Sequence, residues 1–162
     1  MLKTTKNIEN LVLPVFAAPM FLVSGTKLVI AACRAGVIGA FPATNARSSE
    51  IYGQWLEEIN SALDSNESAP WAVNLVVHKL NARLNSDLEL TCKYRVPIVI
   101  TALGSPNNVI EAVHSYGGKV FADVSTVVHA RKAAKAGVDG LILVAAGAGG
   151  HTGLVSGFSF VP

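Results

Sequence analysis

His151 is the side chain best equipped to move a proton. It stands in Ala145-Ala146-Gly147-Ala148-Gly149-Gly150-His151-Thr152-Gly153, straight after the apolar run Leu141-Ile142-Leu143-Val144. An imidazole titrates near neutral pH and serves as general acid or base. Glycines let backbone N–H groups approach a ligand closely, because no Cβ blocks the path. If the run is a strand, the loop lies at its carboxyl end, where parallel α/β folds place their ligands. Against this stands the plainer reading of a glycine turn.

Other residues gather at equivalent places. Met20 follows the first apolar run, Asn74 lies inside the third, Thr101 ends the fourth and Asp123 ends the fifth. Asn74 is telling, since an amide within an apolar strand needs partners. Asp123 equally suits a helix cap, and Met20 taken alone suits core filling. His78 reads as a loop histidine near the site, His114 and His129 as helix residues outside it.

Competing motifs fail. The glycines at 147, 149 and 153 miss G-x-G-x-x-G, because Thr152 occupies the last required place. There is no P-loop, no serine elbow and no His/Cys/carboxylate cluster with zinc spacing, so no metal is expected.

The elements that must position these residues follow from punctuation and period. Apolar runs at Val15–Ala18, Val37–Phe41, Trp71–Val77, Pro97–Leu103, Lys119–Val124 and Gly140–Ala145 are nearly continuous, as strands covered on both faces are. Five helical segments separate them. Residues 49–64 place Ile51, Trp55, Ile59 and Leu63 on one predicted stripe. Ser105 with Pro106 is predicted to open 107–116, and Ser125 or Thr126 to cap 127–136. Gly36, Gly117 and Gly137 each follow a helix, as terminating glycines do. A faint echo links Ala35-Gly36-Val37-Ile38-Gly39 with Ala136-Gly137-Val138-Asp139-Gly140. Repeated βαβ units mean a parallel sheet, either open and doubly wound or part of a barrel. Length alone favours the open sheet, since a full barrel takes about 250 residues.

Composition narrows the class. Of the 162 residues, 15% are charged, against roughly 25% in ordinary domains. Buried strands account for this better than a membrane does. The longest uncharged stretch, Leu11 to Thr26, holds Pro14 and Pro19 and falls short of a bilayer span. Lys3 and Lys6 precede it, yet Glu9, Asn10 and Pro14 spoil a signal peptide. Cys33 and Cys92 read as reduced thiols in helices, which suits a cytoplasmic location. The net charge of +2 has no basic cluster behind it, so no nucleic-acid partner is expected.

Ala18-Pro19-Met20, Ala72-Val73-Asn74-Leu75, Val120-Phe121-Ala122-Asp123-Val124 and Ala148-Gly149-Gly150-His151-Thr152-Gly153 together resemble the nitronate monooxygenase family, formerly called 2-nitropropane dioxygenases. The resemblance runs along nearly the whole chain and reverses the preference for an open sheet. It implies an α/β fold of the parallel (β/α)8 TIM-barrel type and a non-covalent FMN cofactor. Met20 and Asn74 would lie against the flavin, and Gly149 and Gly150 would give backbone room beside it. Asp123 is assigned to the cofactor site, though many members carry a basic residue there and an acidic one at Gly147. A carboxylate cannot attract a phosphate as lysine would. His151 would be the catalytic histidine, deprotonating a nitroalkane or steadying its nitronate before oxygen completes the denitration.

The glycine-histidine stretch also admits flavin-dependent enoyl-ACP reductases, which would require a nicotinamide donor. Members of the resembled family extend well past Pro162. The expectation is therefore one partial barrel over residues 1–162, with about six strands and five helices and the C-terminal strands missing. The residues from Ser156 onward are expected to begin another helix. Open sheet edges imply self-association or a complementary C-terminal portion, and leave an inactive fragment as the non-enzyme reading.

Overall fold

Uncharged runs rich in Val, Ile and Ala become strands here because both of their faces find apolar cover. The computed structural model describes residue 8 and residues 11–63, 67–149 and 151–161. The strands are β1 (Phe16–Ala17), β2 (Ile38–Pro42), β3 (Trp71–Val76), β4 (Ile98–Ala102), β5 (Lys119–Val124) and β6 (Gly140–Leu143). Five helices connect them: α1 (Thr26–Arg34), α2 (Ser49–Ala62), α3 (Leu84–Lys93), α4 (Asn107–His114) and α5 (Val127–Ala136). A 3-10 turn at Ala43–Asn45 follows β2, and a short α6 (Gly157–Phe160) follows β6. All neighbours pair in parallel in the order β1-β2-β3-β4-β5-β6.

The sheet is curled into an incomplete barrel. Phe16 of β1 and Phe121 of β5 meet edge to face, their ring centroids 5.7 Å apart. In a flat sheet four strand spacings would hold them roughly 19 Å apart. The concave face buries Ile38, Ala40, Ala72, Ile98 and Ile100, with Phe16, Phe121 and Ile142 packed against them. The convex face packs Phe41, Val73, Val99 and Val120 against helix residues such as Val29, Tyr52 and Leu56. Strands β2 and β4 are buried at every position, whereas the inward residues Lys119, Phe121 and Asp123 of β5 are half-exposed. Cover thins toward the edges, β1 and β6.

Helix ends follow the expected chemistry with three adjustments. Gly36, Gly117 and Gly137 have φ of 87°, 82° and 95°, and α1 closes with Val37 N–H donating to the Ala32 carbonyl at 3.1 Å. Helix α3 ends the same way, Val96 N–H on Thr91 O at 3.1 Å, but the left-handed residue is Arg95, φ 50°. Of the two cap residues expected before α5, Thr126 acts, its hydroxyl accepting from His129 N–H at 3.1 Å. Ser105 does not cap α4. Pro106, already helical at φ −77°, takes that place without a side-chain bond, and its carbonyl accepts from Val109 and Ile110. The stripe of α2 runs Tyr52, Leu56, Ile59, Leu63, with Ile51 at the surface. Strict four-residue steps rotate roughly 40° each and drift off one face. The last residue expected in that helix, Asp64, lies outside the described residues.

Four strands are shorter than expected: β3 by one residue, and β1, β4 and β6 by two each. Pro14 and Pro19 confine β1 to two residues. Strand β6 stops at Leu143, where Ala145 N–H turns back to the Leu143 carbonyl at 3.0 Å and starts the loop. The echo between 35–39 and 136–140 is only half structural. The left-handed glycines correspond, but Gly39 faces α1, where a Cβ would press on the Val29 backbone, and Gly140 lies under the Phe121 ring.

Candidate functional site

Strand alternation puts Asn74 and Asp123 on the concave face near the carboxyl ends of β3 and β5. Their registers say so: Asn74 lies beside Ile100, and Asp123 beside Ile142. Strand β4 runs between them, yet Asn74 Nδ2 donates to Asp123 Oδ2 at 3.3 Å. The curl brings the two side chains over β4, whose flanking strands lie roughly 10 Å apart. Asn74 is 9% exposed. Burial pushes the Asp123 carboxyl up to about 6, against the Asn74 hydrogen bond and the charge of His151, which pull it down. Neither Asn74 Oδ1 nor Asp123 Oδ1 takes a hydrogen bond among the described residues. An open amide oxygen and an open carboxylate oxygen over an apolar floor suit the imide and hydroxyl groups of a flat ring ligand. They do not suit a phosphate.

The loop past β6 brings His151 to the same mouth. Its backbone is closed on itself: Ala146 N–H donates to Val155 O at 2.7 Å and Gly153 N–H to Ala145 O at 3.2 Å. The Thr152 hydroxyl ties the base of the loop, accepting from Gly147 N–H and donating to Ala145 O, both at 3.2 Å. A Cβ at Gly153 would collide with the Val144 carbonyl, and Gly147 has φ 86°, so both glycines serve the loop itself. Around Gly149 a Cβ would meet nothing within 4 Å. His151 is exposed, within range of the Asp123 charge. Gly150 lies outside the described residues.

Met20 sits on the loop past β1, 44% exposed. That loop is held from the β2 side by Asn45, a residue the sequence reading passed over. Ser24 helps, its hydroxyl accepting from Met20 N–H at 3.0 Å. Thr101 does not join the site. It shares the convex face with Val99, is 2% exposed, and donates to the Phe121 carbonyl at 3.2 Å. His78 is exposed and accepts from Leu80 N–H at 3.3 Å. His114 pairs with Asp139 at 2.8 Å, beside the amino end of β5. Cys33 is buried and free, and burial pushes its thiol up to about 11, which suppresses the thiolate.

No group of three or more His, Cys, Asp or Glu among the described residues could hold a metal ion. No described helix is long and apolar enough to cross a membrane. The nitronate monooxygenase family model matches residues 3–160. The chain belongs to the nitronate monooxygenase family. Within its wider relations, it is 27% identical over 149 residues to (3aS,4S,5R,7aS)-5-hydroxy-7a-methyl-1-oxo-octahydro-1H-indene-4-carboxyl-CoA dehydrogenase of Mycobacterium tuberculosis, covering 92% of this chain and 40% of that protein. Among solved structures, FabK from Thermotoga maritima superposes with a TM-score of 0.82 at 23% identity, covering 93% of this chain and 46% of that one. Nitroalkane oxidase from Streptomyces ansochromogenes gives 0.77 at 23% identity, covering 90% and 50%. The chain thus spans half or less of the length of each of these relatives.

Proposed function

We propose that this chain carries the flavin-facing part of a nitronate-oxidising site, with FMN as cofactor. Membership of the family over residues 3–160 is the observation that carries the reading. The concave-face pair Asn74 and Asp123, with His151 on the loop above, supports it. In this reading Met20, Asn74 and Gly149, with Gly150, border the ring. Asp123 lies beside it. His151 acts as base or steadies the nitro group's developing negative charge, the task of a positioned cation or donor. A bound flavin supplies the electron transfer to oxygen that the side chains cannot. The substrates are a nitronate or nitroalkane and O2, and the products a carbonyl compound and nitrite.

Gly149 offers a sharp test. The fold leaves room for a methyl group there, so Gly149→Ala is expected to keep stability and weaken FMN binding at least about tenfold. Equal FMN affinity in the two proteins would remove Gly149 from the cofactor site. For the activity, the protein is loaded with FMN without oxygen and mixed with propyl-2-nitronate. Loss of flavin colour, then nitrite on admitting air, is expected, and His151→Ala is expected to suppress both. No reaction with any alkyl nitronate would defeat the assignment.

A second reading has its own support in the dehydrogenase relative matched over 92% of the chain. An open carboxylate oxygen at Asp123 suits a substrate hydroxyl as well. A hydroxyacyl-CoA thioester would then bleach the flavin where nitronate does not. Bleaching by reduced nicotinamide alone would favour the enoyl reductase chemistry instead. The edges β1 and β6 have no further strand among the described residues. We assign their cover to C-terminal barrel strands or to a second copy, which sedimentation with and without FMN distinguishes.

A further inference from the structure

We propose that Asp123 is the base that takes the proton from a neutral nitroalkane, leaving His151 to steady the nitronate that forms. The proposal rests on the nitronate reading above and divides between two residues a task that reading leaves to one. In the step, the Cα–H bond of the nitroalkane breaks and its proton passes to Asp123 Oδ1. The bonding electron pair delocalises onto the nitro oxygens, giving the nitronate, and nothing is oxidised.

Geometry separates the two residues. Asp123 projects from a paired strand, with Ile142 as its register partner and Phe121 next on the same face. Its Oδ2 is fixed by the Asn74 amide at 3.3 Å, which orients the carboxylate and leaves Oδ1 without a partner among the described residues. His151 is exposed on a loop. A base must be held at a fixed distance from the carbon it deprotonates, whereas an anion-steadying group acts over a longer range. Apolar neighbours also weaken solvation of the carboxylate, and its titration is drawn toward neutral pH, where a general base is most effective. Among the described residues, the charged groups facing it are few. His151 lies across the mouth, and Lys119, at the other end of β5, is 3.6 Å from Asp139.

The test follows hydrogen exchange at the α-carbon of nitroethane in D2O by proton NMR. It uses the full chain with FMN and without oxygen, so no turnover is needed. Wild type is expected to accelerate exchange. Asp123→Asn is expected to slow it about 100-fold, a larger factor than its loss in the oxidation of preformed ethyl nitronate. Asp123→Glu is expected to restore part of the exchange. His151→Ala should impair nitronate oxidation more than exchange. Asn74→Ala keeps the carboxylate but removes a bond that favours its charged form, so the pH midpoint of exchange should rise. Exchange at the wild-type rate in a folded Asp123→Asn protein would overturn the proposal, as would exchange abolished by His151→Ala alone. Wild type that oxidises nitronate but exchanges nothing would also overturn it and spare the reading beneath. Wild type that does neither defeats that reading itself. Should Asp123→Asn fail to fold, an unmoved pH midpoint in Asn74→Ala is the overturning result.

Discussion

Asn45 holds Met20 in place through the Met20 backbone carbonyl. The Asn45 amide Nδ2 donates to the Met20 carbonyl at 3.0 Å and to Ser24 O at 2.7 Å, and Oδ1 accepts from Leu22 N–H at 2.9 Å. Three bonds from one side chain thus set a loop in which Leu22 adopts φ 62°. A left-handed leucine costs about 1–2 kcal/mol, and the Asn45 bonds are what offset it.

Replacing Asn45 with Ala is therefore expected to cost about 1–3 kcal/mol, read as a lower urea midpoint, and to speed proteolysis within residues 20–24. Asn45→Asp keeps the acceptor for Leu22 but sets a carboxylate oxygen against the Met20 and Ser24 carbonyls, so it should cost at least as much as Asn45→Ala. If Asn45→Ala unfolds at the wild-type midpoint and resists protease equally, the loop is held by something else.

Strand β5 and helix α5 have the bounds their residues predict, because Thr126 caps the helix and Gly137 ends it. The candidate site was legible only in part. Asn74 stood out as an amide among apolar neighbours, and Asp123 as an acid at a strand end. Which way Thr101 faces was not readable, since Ile98-Val99-Ile100-Thr101-Ala102 is buried on both faces and has no polar alternation to set the phase. Asn45 escaped notice for another reason. Its partner Met20 lies 25 residues away, and only the folded sheet brings the two loops together. Arg95 hid a helix end that a glycine would have advertised. The curl shows in the Phe16–Phe121 contact, which joins strands 105 residues apart in sequence and which no local pattern encodes.

Close approach and left-handed backbone are separable in two glycines. At Gly39 a Cβ would stand 2.5 Å from the Val29 carbonyl oxygen, backbone against backbone, with ordinary φ. At Gly117 φ is 82° and nothing lies within 4 Å. Gly39→Ala is expected to push α1 off β2 and cost about 2–3 kcal/mol or more. Gly117→Ala should cost about 1–2 kcal/mol of backbone strain alone. Chemical denaturation of both variants checks the order, and a neutral Gly39→Ala would show that the contact yields easily.

A buried carboxylate joins α2 to α3. Asp87 is 3% exposed, accepts from Ser49 Oγ at 2.8 Å, and pairs with Arg83 Nη2 at 3.1 Å. Beside it Thr91 Oγ1 donates to the Asp87 carbonyl at 2.7 Å, so Tyr52 OH must be the donor in its 2.7 Å bond to Thr91. Asp87→Ala takes the partner from the Ser49 hydroxyl and from Arg83 Nη2, while Arg83 Nη1 keeps the Ala46 carbonyl, and is expected to cost about 2–4 kcal/mol. Tyr52→Phe keeps the ring and loses one donor, so about 1 kcal/mol is expected. Equal losses in the two variants would contradict this division.

Asp123 and Asp139 should make stability depend on pH with opposite signs. Burial lifts Asp123 from 3.8 to about 6 despite Asn74 and His151, so the fold holds that proton more tightly than the unfolded chain does. Its contribution is most favourable below pH 3.8, falls as pH rises toward 6, and is level above. Asp123→Asn can still accept from Asn74 and carries no charge. It is expected to gain on the order of 1–2 kcal/mol above pH 6 and little near pH 4. Burial would raise Asp139 too. The Val120 N–H at 2.8 Å and the His114 and Lys119 partners outweigh it and leave the carboxyl lowered. That contribution is present above pH 3.8 and lost as pH falls through the lowered value. Asp139→Asn should therefore lose stability at neutral pH and converge with wild type in acid. Thermal melts of both variants from pH 3 to 8 read the two slopes directly, and slopes of the same sign would contradict the placement of at least one carboxylate.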